Sequence, residues 1–252
     1  MKISVCGKGG SGKSTLVSLL AKQAEARGLK VLVVDSDESN SGLFHMLGFK
    51  QPPVPLMELV GGKNQLREKM KQPDIWAEQW IDPSDIPSTY VQRRNGMMMV
   101  SIGKILQSFE GCACPMWVLS REFLSKLRLG ENALAIVDME AGVEHFGRGI
   151  EKSIDTVLLV IEPSMESIYV AEKIRDMTAG LEKRLVAVLN KIGSGRVAMR
   201  MEKEILTRGI ELIGVLRLDP AIFEACLEGF AMDRGEAFRQ AGDILDRLLV
   251  QV

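Results

Sequence analysis

The 252-residue chain reads as an α/β fold of three layers, a mostly parallel central sheet flanked by helices. Short apolar runs rich in β-branched residues recur along it, and segments of helical spacing separate most of them. Its length is enough to close one full core, so a single domain spanning residues 1–252 is expected.

The run "ISV" at 3–5 opens the sheet and leads into a helical segment at 14–27. "VLVVD" at 31–35 is the second strand, and "LFHML" after it reads as a helix on which His45 packs. Residues 50–100 are less regular. They hold "QPPVPLMELVGG", the charged run "REKMK", Trp76 and Trp80, then "GMMMVSIG" as a further strand, so about 50–95 is expected to be an irregular helical insertion in the same domain. A helical segment at 116–129 precedes the strand "ALAIVD" at 133–138. Strands "TVLLVIE" (156–162), "RLVAVLN" (184–190) and "ELIGVL" (211–216) then alternate with helical spacing at 165–180, 196–208 and 235–250. Apolar on both faces, the strands read as buried between layers of helix. Fourteen methionines, Met97 to Met99 and Met116 among them, are read as adaptable core filler.

Between the first strand and the first helix stands Gly7-Lys8-Gly9-Gly10-Ser11-Gly12-Lys13-Ser14, a complete GxxxxGK[ST] phosphate loop. Glycines there adopt backbone angles closed to other residues, and the loop's N–H groups converge on phosphate oxygens at the positive end of a helix. The expected ligand is ATP or ADP with Mg²⁺. Gly9, Gly10, Ser11, Gly12 and Thr15 would line the phosphates, Lys13 would bridge the β- and γ-phosphates, and Ser14 would ligate Mg²⁺. The fold class is thereby narrowed to a P-loop NTPase.

Lys8, directly after the first glycine, resembles the signature of the deviant Walker A group, KGGxGK[ST], which includes MinD, ParA, nitrogenase iron protein and ArsA; this chain has "KGGSGKS". The resemblance implies a homodimer in which Lys8 reaches the partner's nucleotide. It also places the switch I acid in "VVDSDESN", with Asp37 activating the attacking water and Asp35 contacting Mg²⁺ indirectly. In "AIVDMEAG", Asp138 occupies the Walker B position and Gly142 the switch II hinge. In "VLNKI", Asn190 and Lys191 resemble the base-recognition motif, while Arg217 in "VLRLDP" departs from the proline common in the family.

"FEGCACPMW" carries Cys112 and Cys114 one residue apart, and Gly111 and Pro115 suggest a turn from which both thiolates could chelate. Two thiolates make half of a tetrahedral site, and the same loop of a second subunit could supply the rest. Soft sulfur suits Zn²⁺, Cu(I), an iron–sulfur cluster or square-planar Ni²⁺. His145, in "VEHF", is read either as a metal or γ-phosphate contact or as a hydrogen-bonded structural histidine. Cys6 in the first strand and Cys226 in a late helix are assigned no metal.

The phosphate loop with Lys8, "DSDESN", the CxC segment, "DMEAGVEHFGRG" and "VIEPSMESI" together resemble the CooC-type accessory ATPases of carbon monoxide dehydrogenase, including relatives that serve acetyl-CoA synthase. That resemblance implies a dimerising ATPase that holds Ni²⁺, or Zn²⁺ in its place, at Cys112 and Cys114 and assists nickel insertion into a nickel–iron–sulfur client. Alternatives are a reductase like nitrogenase iron protein and a MinD/ParA-like positioning ATPase. The net charge of −1 gives no basic footprint for nucleic acid, and the C-terminal amphipathic segment lacks a basic face for a membrane. No apolar run approaches bilayer length and the strand at 3–5 leaves no room for a signal peptide, so a cytoplasmic protein is expected.

Overall fold

The structure, a computed structural model, describes residues 1–72, 74–104 and 114–250. Its described strands form one eight-stranded sheet: β1 (Lys2–Gly7), β2 (Lys30–Asp35), β3 (Gln92–Arg94), β4 (Met97–Ser101), β5 (Ala133–Asp138), β6 (Thr156–Ile161), β7 (Arg184–Ile192) and β8 (Glu211–Arg217). Their order is β3-β4-β2-β5-β1-β6-β7-β8, and every pairing is parallel except β3 with β4. The antiparallel hairpin at that edge turns through Asn95 (φ 46°) and Gly96 (φ 90°). An Asn-Gly pair is the commonest way to place two residues at positive φ between strands.

Two apolar clusters cover the two faces. One joins alternate residues of the sheet (Leu32, Val34, Ala135, Val137, Leu159) to Leu119 and Phe123 of α5 (Cys114–Lys126) and to Ile168 and Ile174 of α6 (Met165–Thr178). The other joins the opposite residues (Val31, Val33, Leu134, Ile136, Leu158) to α1 (Lys13–Ala26) and to α9 (Glu236–Leu249), which follows α7 (Gly195–Thr207) and α8 (Pro220–Glu228). Successive strand residues point to opposite faces, so unbroken apolar runs feed both clusters. Residues of the 50–95 stretch, including Leu56, Leu66, Trp76 and Ile81, bury into the first cluster beside Phe123. That stretch contains α3 (Leu56–Leu59) and α4 (Gly62–Lys69).

Three local readings are corrected. Pro115 does not close a turn; it sits in the first turn of α5, where its missing N–H leaves no hydrogen bond unmade. His45, on α2 (Leu43–Leu47), is exposed and stacks on the neighbouring Phe44 ring. His145 is buried, yet neither ring nitrogen has a hydrogen-bond partner among the described residues. Cys112 and Gly111 lie outside the described residues. Met97 and Met99 are buried in the core.

Candidate nucleotide site at the carboxyl ends of the strands

In a parallel sheet all the carboxyl ends lie along one rim, and the crevice there is where ligands bind in open α/β folds. Five strand ends bring the site residues to that rim: β1 the phosphate loop, β2 Asp35 and Asp37, β5 Asp138, β6 Glu162 and β7 Asn190 and Lys191.

The loop itself is tightly fixed. Gly7 has φ +150°, and a Cβ there would meet the Val160 carbonyl of β6 at 2.5 Å, so only glycine lets β1 leave the sheet at this point. Ser11 N donates to Lys8 O at 3.1 Å, closing the turn. The Asn190 amide donates to Ser11 O at 2.8 Å, and Lys191 Nζ donates to Gly10 O. In a planar trans peptide C=O and N–H point opposite ways, so drawing the Ser11 carbonyl towards β7 turns Gly12 N–H to the inside of the loop. Asn190 Oδ1 in turn accepts from Lys191 N at 2.9 Å, while Lys191 is held at φ +58°, a left-handed angle that costs a side-chain-bearing residue about 1 kcal/mol or more. The residues assigned from sequence to a purine edge thus brace the phosphate loop.

Beneath the loop lies a cluster of buried oxygen atoms. Ser14 Oγ donates to Asp138 Oδ2 at 2.6 Å, and Asn40 Nδ2 donates to Ser14 Oγ at 2.7 Å. Burial pushes the Asp138 carboxyl up to about 7, against the hydrogen bond from Ser14, with Asp35 adding repulsion. Asp35 is pushed up to about 6 by burial, opposed by Lys104, whose Nζ lies 2.7 Å from Asp35 Oδ2. Lys104 also donates to Asp37 O at 2.5 Å and to Asn40 O, fixing the chain after β2. Asp37 Oδ1 accepts from Ser39 N and Ser39 Oγ.

Lys13 is buried and its Nζ reaches Lys8 O at 3.4 Å. Lys8 points elsewhere: its Nζ lies 2.9 Å from Glu162 Oε1 and 3.4 Å from Glu166 Oε2, and Glu162 Oε2 also receives Lys191 Nζ at 3.1 Å. Burial raises the Glu162 carboxyl, but the hydrogen bonds from Lys8 and Lys191 outweigh it and hold the group below the usual range.

The donor set fits a magnesium nucleotide. Ser11 Oγ, Asp35 Oδ1 and Asp138 Oδ1 are buried without hydrogen-bond partners among the described residues. Such groups cost stability unless something satisfies them. A Cβ at Gly10 would meet nothing within 4 Å, so the loop opens onto space on that side.

Residues 3–230 match the model of the CobQ/CobB/MinD/ParA nucleotide-binding domain. The chain belongs to that family. It is 43% identical over 198 residues to an uncharacterized ATP-binding protein of Methanocaldococcus jannaschii, covering 76% of this chain and 79% of the relative. It is 30% identical to the carbon monoxide dehydrogenase accessory protein CooC of Rhodospirillum rubrum, over 92% of this chain and 89% of that one. Among solved structures, the fold superposes on the septum site-determining protein MinD of Pyrococcus horikoshii in complex with Mg-ADP, with a TM-score of 0.74 at 16% identity over 99% and 96% of the two chains. The eight-stranded sheet flanked by helices is therefore the MinD/ParA-type P-loop fold.

Cys114 heads α5, and Arg148 Nη1 lies 3.9 Å from its Sγ. Among the described residues no group of three or more His, Cys, Asp or Glu side chains could hold a metal ion. No described helix is long and apolar enough to cross a membrane.

Asn40, Lys104 and Glu162 are the site residues that sequence did not single out by role. "VIEP" placed Glu162 at a strand end, and "DSDESN" contains Asn40, but nothing local marks Lys104 as the partner of Asp35.

Proposed function

We propose that this chain is an ATP-dependent metallochaperone, a maturation ATPase that assists nickel insertion into carbon monoxide dehydrogenase or acetyl-CoA synthase. The observation that carries the reading is the 30% identity to the Rhodospirillum rubrum accessory protein across nine-tenths of both chains, joined to a cysteine pair, Cys112 and Cys114, in the same chain as the deviant loop.

In this reading ATP binds with its phosphates on residues Gly9 to Thr15, and Lys13 is the charge that contacts the β- and γ-phosphates. Ser14 would ligate Mg²⁺, with Asp138 and Asp35 one water further out. Held by these residues, Mg²⁺ would supply positive charge against that developing on the phosphate oxygens. Asp37 positions and deprotonates the attacking water. Its backbone is already anchored by Lys104, so its side chain needs only to rotate away from Ser39. Hydrolysis then needs little beyond orientation and charge, which is what phosphoryl transfer asks of a protein.

The dimer follows from Lys8. Released from Glu162, its ammonium extends to the partner's nucleotide, and two chains bring two Cys112/Cys114 pairs together as four thiolates for Ni²⁺ or Zn²⁺, the cargo. A ligand shifts an equilibrium only through differential affinity, so ATP and metal tighten each other's binding when both favour the closed dimer. Metal analysis with sizing of wild type and Cys112→Ala/Cys114→Ala, in ATP-analogue and ADP states, tests this. The expected result is metal at one ion per two chains in the closed wild-type dimer and none in the double variant. Metal retained by the double variant would remove the cysteines from the reading.

A further inference from the structure

We infer that helix α5 is the element through which nucleotide state reaches Cys114, with Trp117 and Ser120 as its two attachment points; the inference rests on the proposed role of Cys114. Cys114 is the first residue of α5. One turn along, Trp117 Nε1 donates to Glu140 Oε2 at 3.0 Å, and Glu140 stands two residues beyond Asp138 in the switch II segment. A further turn along, Ser120 Oγ and Ser36 Oγ are 2.9 Å apart in a fully buried contact, and Ser36 lies between Asp35 and Asp37. One face of one helix is therefore hydrogen-bonded to both chain segments that flank the proposed cation site. Residues three apart on a helix are surface neighbours, so Trp117 adjoins Cys114 on one side and Ser120 on the other.

A third contact closes the link from the cysteine side. The Arg148 guanidinium lies over the Trp117 ring, 3.1 Å from its centroid, and the same group approaches Cys114 Sγ at 3.9 Å. Arg148 belongs to the 3₁₀ turn Phe146–Arg148 that continues switch II, and Arg121 Nη1, one helical step beyond Ser120, donates to Arg148 O at 3.3 Å. Any displacement of Glu140 or the turn moves the indole, and the indole moves the guanidinium beside the sulfur. The core side of α5 is closely packed through Leu119, Phe123 and Leu124, all fully buried, so the helix responds as a rigid body. Trp117 and Ser120 are positioning residues in this account; they touch neither nucleotide nor cargo.

The test uses metal-free full-length protein and reads the sulfur directly. Alkylation of Cys114 by iodoacetamide is followed by peptide mass spectrometry at a dilution where sizing shows single chains in every state, nucleotide-free and with Mg²⁺ and a non-hydrolysable ATP analogue, for wild type and Trp117→Phe/Ser120→Ala. Phe keeps the ring and removes the N–H; Ala removes the hydroxyl without adding bulk. In wild type the nucleotide is expected to change the Cys114 rate by about 5-fold or more, a typical coupling. In the double variant the rate becomes independent of nucleotide, while nucleotide affinity stays within about 2-fold and Trp117→Phe alone gives an intermediate ratio. A double variant that keeps the wild-type ratio overturns the inference, as does a wild-type rate that nucleotide leaves unchanged. No cargo metal enters this assay, so failure of cargo binding and failure of the α5 link read out separately.

Discussion

The ammonium of Lys8 lies 2.9 Å from Oε1 of Glu162 in its own chain, with Glu166 Oε2 at 3.4 Å on its other side. The lysine that distinguishes this phosphate loop is thus parked by two carboxylates from the end of β6 and the start of α6. The Glu162 and Lys8 side chains are only partly buried, at 18% and 24% exposure, so water screens the pair and it yields readily to a stronger anion. Two expectations follow. Lys8→Ala spares nucleotide binding to the isolated chain but impairs ATP-dependent dimerisation and hydrolysis. Glu162→Gln frees Lys8 and lowers the protein concentration at which ATP-analogue dimers form, by about 5-fold or less. Sedimentation velocity measures both; a Lys8→Ala chain whose monomer loses nucleotide affinity would contradict the cross-subunit role.

Asp138 carries a pH signature. Burial lifts its carboxyl from 3.8 to about 7 in the folded chain, so the stability it contributes is complete below the ordinary value and lost as pH rises through 7. Asp138→Asn should therefore melt higher than wild type at pH 8 without nucleotide, by a few degrees, with the gap closing towards pH 4. Mg²⁺ binding requires the ionised carboxylate, so wild-type affinity for the magnesium nucleotide should weaken as pH falls below 7, approaching ~10-fold per unit, and lose that dependence in the variant. Calorimetry at several pH values checks both; a variant less stable than wild type at pH 8 would be the opposite outcome.

Beneath switch II, His145 Nε2 and Glu151 Oε1 are 3.5 Å apart, buried, and without hydrogen-bond partners among the described residues. Burial holds His145 down at about 4 and Glu151 up at about 7. The depressed histidine contributes stability above its ordinary 6.5 that is lost as pH falls towards 4. The raised glutamate contributes stability below its ordinary 4.5 that is lost as pH rises through 7. Glu151→Gln is expected to raise the urea midpoint at pH 8 and leave it unchanged near pH 4. A lower midpoint at every pH would mean that the two form an ion pair.

Lys104 is expected to matter for stability as much as for catalysis. Lys104→Met would leave Asp35, 2% exposed, without its cation, and breaking one side of a buried pair costs about 3 kcal/mol or more. Urea unfolding of the nucleotide-free protein measures it, and a loss under about 1 kcal/mol would mean that Asp35 finds another partner.

The strands were legible because each is an unbroken apolar run closed by a charged or polar residue: Asp35 ends β2 and Asp138 ends β5. The phosphate loop was legible because its chemistry is contiguous. What could not be read is long-range pairing. Lys8 and Glu162 are 154 positions apart, Asn190 and Ser11 179, and neither periodicity nor spacing carries information about partners so distant. The β3–β4 hairpin was not read: Asn95-Gly96 makes its turn, but "QRR" lacks the apolar alternation by which strands are recognised. Pro115 misled because proline suits both a turn and the first turn of a helix, and the apolar periodicity of α5 begins only after it.

The central claim is that nucleotide and cargo share one closed dimer. Titrating Ni²⁺ into the protein with and without a non-hydrolysable ATP analogue, with sizing of each state, tests it most directly. The account predicts tighter Ni²⁺ binding in the presence of the analogue, by about 5-fold or more, together with a shift from one chain to two. Equal affinities and an unchanged mass would contradict it.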